Sequence, residues 1–183
     1  MTDAELVSFA DPESGAPLER AGDSLAGGLR AYPMVDGIPR FVPSEAYTAS
    51  FGVQWNAHVE TQLDSHTGRN ISRERLTRCL GGPVEALSER TVLEAGCGAG
   101  RFTELLVGAG ALVHSIDMSA AVDANHRNIG DVPNHVLAQA DLLKPPFPRE
   151  SFDVVLCLGV LQHTPSTRLS LESLWCFVKP GGM

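Results

Sequence analysis

What the chain lacks narrows its class before any motif is read. It lacks paired cysteines: Cys79, Cys97, Cys157 and Cys176 form no C-x-x-C pair. At 183 residues it is too long to need disulfide staples. Reduced thiols and a cytoplasmic setting are expected. It lacks basic clusters: 14 Lys and Arg against 22 Asp and Glu leave a formal charge of −8. That balance argues against gripping a nucleic-acid backbone and reads as a solubilising surface. It lacks a long apolar run. The longest, Val154 to Leu161, falls far short of the roughly 20 residues that cross a bilayer. Met1 to Glu13 is acidic and shows no basic-then-apolar secretion pattern. The six histidines sit at no metal-ligand spacing, so no metal site is expected. What remains, 43% apolar and 20% charged, suits a globular chain of one domain with a small appendage.

Three segments are expected. Residues 1–45 are rich in Gly, Pro and Asp. They carry Asp36-Gly37 between apolar flanks, a tight hairpin signal, with prolines that suit short edge-like strands. Residues 46–82 form a linker and helical lid segment, with a helix over 72–80, Ser72 as its N-cap, and an end at Gly81-Gly82-Pro83. From 83 to 183 strands and helices alternate. Strands are predicted at 91–95, 111–116, 135–140 and 152–158, helices at 101–107, after Ser119, and from Thr164-Pro165. In the last helix Leu171, Leu174, Trp175 and Val178 recur at the spacing of one buried face. This order predicts an α/β fold with a doubly wound, mostly parallel sheet and right-handed crossovers.

The chemistry concentrates at strand ends. Glu94-Ala95-Gly96-Cys97-Gly98-Ala99-Gly100 has the form E-x-G-x-G-x-G at a strand-to-helix turn. Its glycines permit a sharp turn and close approach of a ligand to the backbone. A dinucleotide fingerprint would need glycine at 101, where Arg101 stands. A carboxylate at 94 would repel phosphates and suits an ammonium or sulfonium group. Asp117, 17 positions past Gly100, is placed to accept from both hydroxyls of a ribose. The competing reading is a helix cap, but Ser119 already offers one. Asp141, ending the third strand, could accept from an adenine amine or simply bond its own backbone. His163, past the fourth strand, is a candidate general base; a purely structural role before Pro165 weighs equally.

With these residues in view, positions 90–182 resemble the class I S-adenosylmethionine-dependent methyltransferase family. The resemblance runs through the E-x-G-x-G-x-G turn, Asp117, Gln139-Ala140-Asp141, Phe152-Asp153-Val154-Val155 leading into Gly159-Val160-Leu161-Gln162-His163, and the closing Val178-Lys179-Pro180-Gly181-Gly182. It implies a Rossmann-like fold and S-adenosyl-L-methionine as cofactor. Glu94 and Gly96 would lie near its methionine part, with Gly98 and Gly100 in the same turn. Asp117 would hold the ribose, Met118 would pack on adenine, and Asp141 with Leu142 would meet the adenine edge. Backbone at Leu158 and Gly159 would face the amino group. Further strands are expected after Lys-Pro-Gly-Gly, so the sheet is expected to stop after its fourth strand and the helix that follows. The N-terminal module is similar to a zinc-ribbon-like module of some bacterial relatives. Asp11 to Leu18 stands where such modules often carry paired cysteines, so zinc is not expected. Residues 47–67, including Phe51-Gly52-Val53-Gln54-Trp55, resemble a segment lying over the active site. The expected activity is methyl transfer to a small-molecule acceptor. Two alternatives stand beside it: a catalytically silent cofactor-binding or interaction module, and a nicotinamide dehydrogenase, which Arg101 and Glu94 disfavour. The acceptor and the oligomeric state are not legible.

Overall fold

The computed structural model describes residues 6–27, 30–42 and 62–183. Its centre is a four-stranded parallel sheet of β5 (Thr91–Ala95), β6 (Leu112–Asp117), β7 (His135–Gln139) and β8 (Val154–Leu156), in the order β7-β6-β5-β8. All five residues of β5 are buried, as a central parallel strand covered on both faces requires. Helices α3 (Thr103–Gly108) and α4 (Ala121–Ile129) form the first two crossovers. The path from β7 to β8 has turns but no helix. Strand order reverses between β5 and β8, and in open α/β sheets that switch point opens a crevice at the carboxyl ends of the strands. Alternation along the strands divides the core. Val92 and Val113 pack with Leu105, Leu106, Leu76 and Val84 on one face. Leu93, Ile116 and Ala138 pack with Phe147, Phe152 and Leu174 on the other.

The N-terminal residues form a second, antiparallel sheet: β1 (Glu19–Ala21), β2 (Ser24–Gly27), β3 (Arg30–Val35) and β4 (Ile38–Pro39), in sequential order. Asp36 and Gly37 join β3 to β4 with φ of 52° and 79°, the doubly left-handed two-residue turn expected of Asp-Gly. The Asp11 carboxylate gathers the amides of Glu13 and Ser14, the Ser14 hydroxyl and the Tyr32 hydroxyl. These bonds, chiefly the Ser14 amide, hold its carboxyl down to about 2. The sheet is not a loose appendage. Phe9 stacks on Phe147 at 5.2 Å, and Phe147 meets Phe152 edge-on at 5.2 Å. The Val7 amide donates to Nε2 of the fully buried His114 at 2.8 Å. The N-terminal segment thereby covers the sheet face that the helix-free β7–β8 connection leaves open. Each aromatic pair contributes about 0.5–1.5 kcal/mol beyond its buried area.

The remaining helices are α1 (Asp64–Thr67), α2 (Ile71–Leu80) and α5 (Thr167–Trp175). Several local expectations are corrected here. Ser72 lies inside α2; the Asp64 carboxylate caps that helix from outside, accepting from the amides of Ser72 and Arg73 at 2.9 and 2.8 Å. Ser72 instead donates its hydroxyl to the Gln62 carbonyl. The fourth strand is shorter than 152–158, although Phe152 still pairs with Val178 in a parallel bridge. Helix α5 begins after Ser166, whose hydroxyl accepts from the Leu169 amide, and not at Pro165. Its buried stripe runs through Ser170 and Leu174 to Phe177, leaving Leu171 and Trp175 57% and 66% exposed. The Ser170 hydroxyl satisfies itself on the Ser166 carbonyl, so a small polar residue occupies the position assigned to an apolar one. Residues 47–61 of the proposed overlying segment lie outside the described residues. Among the described residues no helix is long and apolar enough to cross a membrane. The fold is α/β, a Rossmann-like parallel sheet carrying a small antiparallel N-terminal sheet.

Candidate functional site

The glycine turn leaves β5 at Ala95. Gly96, Gly98 and Gly100 take φ of 82°, 52° and 98°, a region that side-chain-bearing residues rarely adopt. Gly96 is required twice, since a Cβ there would stand 2.3 Å from Cγ2 of Val160. The turn thus packs against the loop that leaves β8, where Leu158 and Gly159 lie. Parallel strands carry Asp117 and Met118 to the end of β6 and Asp141 and Leu142 to the end of β7. The structure therefore brings the glycine turn, Asp117 with Met118, Asp141 with Leu142 and the Leu158–Gly159 loop to the carboxyl ends of the strands, on both sides of the switch point.

Asp117 is half-buried. Its Oδ2 accepts from the Gly98 amide at 2.9 Å, and its Oδ1 accepts from the amide and hydroxyl of Ser119 at 2.8 and 2.7 Å. The Ser119 hydroxyl also accepts from the Ala121 amide at the start of α4. The carboxylate therefore ties the glycine turn to β6 and shapes the helix start, with one lone-pair site on Oδ2 remaining for a ligand. Asp141 is half-buried and accepts from the Leu143 amide at 2.8 Å, the local Asx bond that competed with a ligand role in the sequence. His163 stands exposed on a short 3-10 turn, Leu161–His163.

Glu94 lies deeper than a direct ligand contact would place it. It is 4% exposed, and its Oε2 accepts from the hydroxyls of Thr103 at 2.7 Å and Ser115 at 2.9 Å. Asn125 donates to Thr103 at 3.0 Å, and His135 Nε2 lies 3.1 Å from the Ser115 hydroxyl. Among the described residues Glu94 Oε1 and Asn125 Oδ1 find no partner. Burial is the largest influence on the carboxyl and pushes it up to about 7, against the pull of the two hydroxyls. Burial likewise raises the Cys97 thiol in the turn and lowers His135 to about 4. A carboxyl that binds its proton near neutrality and supports the turn from beneath is a different object from a charged counter-ion to a sulfonium or ammonium group. Sequence reasoning missed this network, because Thr103, Ser115 and Asn125 come from three elements.

It also missed two arginines. The guanidinium carbons of Arg101 and Arg75 stand 5.2 and 5.8 Å from the Phe102 ring centroid. Arg75 Nη2 lies 3.8 Å from where a Cβ on Gly159 would stand. Burial first, and then repulsion from Arg75, lowers the Arg101 pKa. Adjacent cations beside the turn favour an anion, and a carboxylate suits them. Arg101 was legible only as the residue that breaks the dinucleotide pattern.

Comparisons with known proteins agree with this geometry. Residues 93–183 match the family model described as a methyltransferase domain. A curated relative, the ubiquinone biosynthesis O-methyltransferase of Paraburkholderia phytofirmans, is 34% identical over 100 residues, covering 52% of this chain and 43% of the relative. The match thus spans less than half of that protein's length. Among solved structures, a TehB-like S-adenosylmethionine-dependent methyltransferase from Corynebacterium glutamicum superposes with a TM-score of 0.54 at 19% identity, covering 73% of this chain and 70% of that one. A provisionally assigned S-adenosyl-L-methionine-dependent methyltransferase from Methanococcus maripaludis gives 0.56 at 15% identity, covering 78% and 64%. At such identities the structures speak for the fold, and the family model speaks for the domain. Residues 93–183 of this chain are thus similar to a methyltransferase domain.

Proposed function

We propose that the chain binds S-adenosylmethionine along the carboxyl ends of β5 to β8, and that the protein uses it to methylate a small-molecule acceptor. The observation that carries this reading is the glycine turn at the switch point, tied to Asp117 through the Gly98 amide. The residues fit such a group. Asp117 Oδ2 offers its free lone pair to a ribose hydroxyl. Met118 and Leu142 offer half-buried apolar surface to adenine, with Asp141 at its edge. Gly96, Gly98 and Gly100 let the methionine part approach the backbone, the carbonyls near Leu158 and Gly159 suit its ammonium, and Arg75 and Arg101 suit its carboxylate. Glu94 supports the turn from beneath.

The bound cofactor would supply a methyl group already activated on a sulfonium. The protein's part is then alignment and the exclusion of water, which hold the acceptor near 3–3.5 Å from the methyl. An oxygen acceptor must also lose a proton. His163 Nε2 or Nδ1 is the group we assign to take it, because its turn follows directly from the loop that faces Gly96. The O-methyltransferase relative favours an oxygen acceptor of small-molecule size. The division into segments 1–45, 46–82 and 83–183, and a cytoplasmic location, belong to the same proposal.

Calorimetry on the purified chain tests the cofactor reading. S-adenosylhomocysteine is expected to bind with micromolar affinity and NAD not at all. Tighter binding of NAD overturns it. Transfer of labelled methyl into a pool of small metabolites then tests the activity.

A further inference from the structure

We propose that the N-terminal sheet is the scaffold of the adenine side of the cofactor site and that Arg40 is its positioning residue; this rests on the cofactor reading above. Arg40 follows β4 and reaches into the methyltransferase domain with a side chain only 11% exposed. Its Nη2 pairs with Asp123 Oδ1 of α4 at 2.6 Å, and its Nη1 donates to Gln139 Oε1 at 3.3 Å. Gln139 passes the link on, donating its Nε2 to the Met118 carbonyl at 3.0 Å. The guanidinium therefore fixes the amide of Gln139 with its oxygen outward and its nitrogen towards Met118. The backbone repeats the connection: Arg40 pairs with Gln139 in a parallel bridge, and the Phe41 amide donates to the Gln139 carbonyl at 2.8 Å.

The loop after β7 is held from the same side. The Ala10 amide donates to the Pro146 carbonyl at 2.8 Å, Lys144 pairs with Glu13, and Leu142 packs in the cluster that contains Phe9 and Phe41. The two strand ends assigned to adenine, Met118 on one and Asp141-Leu142 on the other, thus share contacts with the residues that flank the N-terminal sheet on both sides. No helix between β7 and β8 does that work. A bidentate cation braced by Asp123 on one side and Gln139 on the other sets their separation, and a lysine could not span both with fixed geometry. The expectation is selective. Without Arg40 the turn at Gly96–Gly100 and the arginines near the methionine end stay in place, while the adenine end loosens.

The test uses the full chain and its Arg40→Ala, Arg40→Lys and Gln139→Ala variants, held well below their melting temperatures. Binding of S-adenosylhomocysteine and of S-inosylhomocysteine, in which oxygen replaces the adenine amine, is measured by calorimetry. Arg40→Ala is expected to lose about 3- to 30-fold in affinity for S-adenosylhomocysteine, the range typical of residues that act on a site through others. Its preference for adenine over hypoxanthine should shrink. Gln139→Ala should show the same loss, and the double variant should be no worse than either alone. Arg40→Lys should restore stability but not the adenine preference. Lower melting temperatures with unchanged affinity and preference overturn the inference, as do losses that add in the double variant. A parent chain that binds no S-adenosylhomocysteine refutes the cofactor reading itself; a parent that binds it beside variants that bind it equally refutes only the role of Arg40.

Discussion

Replacing Glu94 by Gln isolates the most perturbed acid in the site. Its carboxyl binds a proton near pH 7 in the folded chain, against an ordinary value of 4.5. The folded state therefore keeps a proton that the unfolded state gives up. The stabilisation is fully present below about pH 4.5, declines as pH rises, and is gone above about pH 7. Between pH 5 and pH 8 this linkage removes about 2–3 kcal/mol from the parent, taking 1.36 kcal/mol per unit as an upper bound for a buried group. Glutamine cannot ionise, so its contribution is flat. Its carbonyl can accept from Thr103 and Ser115 as Oε2 does, while its NH2 falls where Oε1 has no partner. An unpaired buried donor costs about 1–3 kcal/mol, which makes the sign of the change at any one pH uninformative. The pH dependence is free of that constant. Urea unfolding of parent and Glu94→Gln at pH 5, 6, 7 and 8 should show the variant gaining on the parent by about 2–3 kcal/mol across the range. A gap that stays constant within about 0.5 kcal/mol, or moves the other way, refutes the account of Glu94 as a buried, desolvated acid.

Burial lowers the His114 pKa to about 4 and keeps the ring neutral at pH 7, where its Nε2 accepts from the Val7 amide. Unfolded histidine protonates near 6.5, so this contribution is lost as pH falls from about 6.5 towards 4. His114→Leu should cost about 1–3 kcal/mol at pH 7.5 by orphaning the Val7 amide, and urea unfolding should show the deficit narrowing on acidification. Gly96→Ala introduces both an unfavourable φ and a clash with Val160. It should lower stability by about 1–3 kcal/mol and weaken S-adenosylhomocysteine binding, with Val160→Ala recovering part of both in melting and calorimetry. Asp117→Ala should reduce S-adenosylhomocysteine affinity by roughly 10- to 150-fold, the loss of one hydrogen bond to a charged group. Because its carboxylate also holds Gly98 and Ser119, the melting temperature should fall as well. A fall in melting temperature with affinity intact would remove Asp117 from the site.

The sequence by itself determined the parallel sheet and its turn chemistry. Buried parallel strands are local apolar runs, and a positive-φ turn needs glycine, so strands at 91–95, 111–116 and 135–140, within a residue of those observed, and the Gly96–Gly100 turn could be read from neighbouring residues alone. Asp-Gly at 36–37 was legible for the same reason. Tertiary structure decided what depends on residues far apart in the chain. Ser72 looked like a cap until Asp64 took that position from outside the helix. The apolar spacing of Leu171, Leu174 and Trp175 pointed to one face of α5, whereas the sheet contacts a stripe turned by one residue. Glu94 reads from its motif as a counter-ion to an ammonium or sulfonium group, and only the enclosure by Thr103, Ser115 and Asn125 turns it into a desolvated acid, because desolvation is a property of surroundings and not of residue type. The union of the N-terminal sheet with the strand ends was likewise invisible. Arg40 and Gln139 are 99 residues apart, and no periodicity or motif encodes a contact between two polar side chains at that separation.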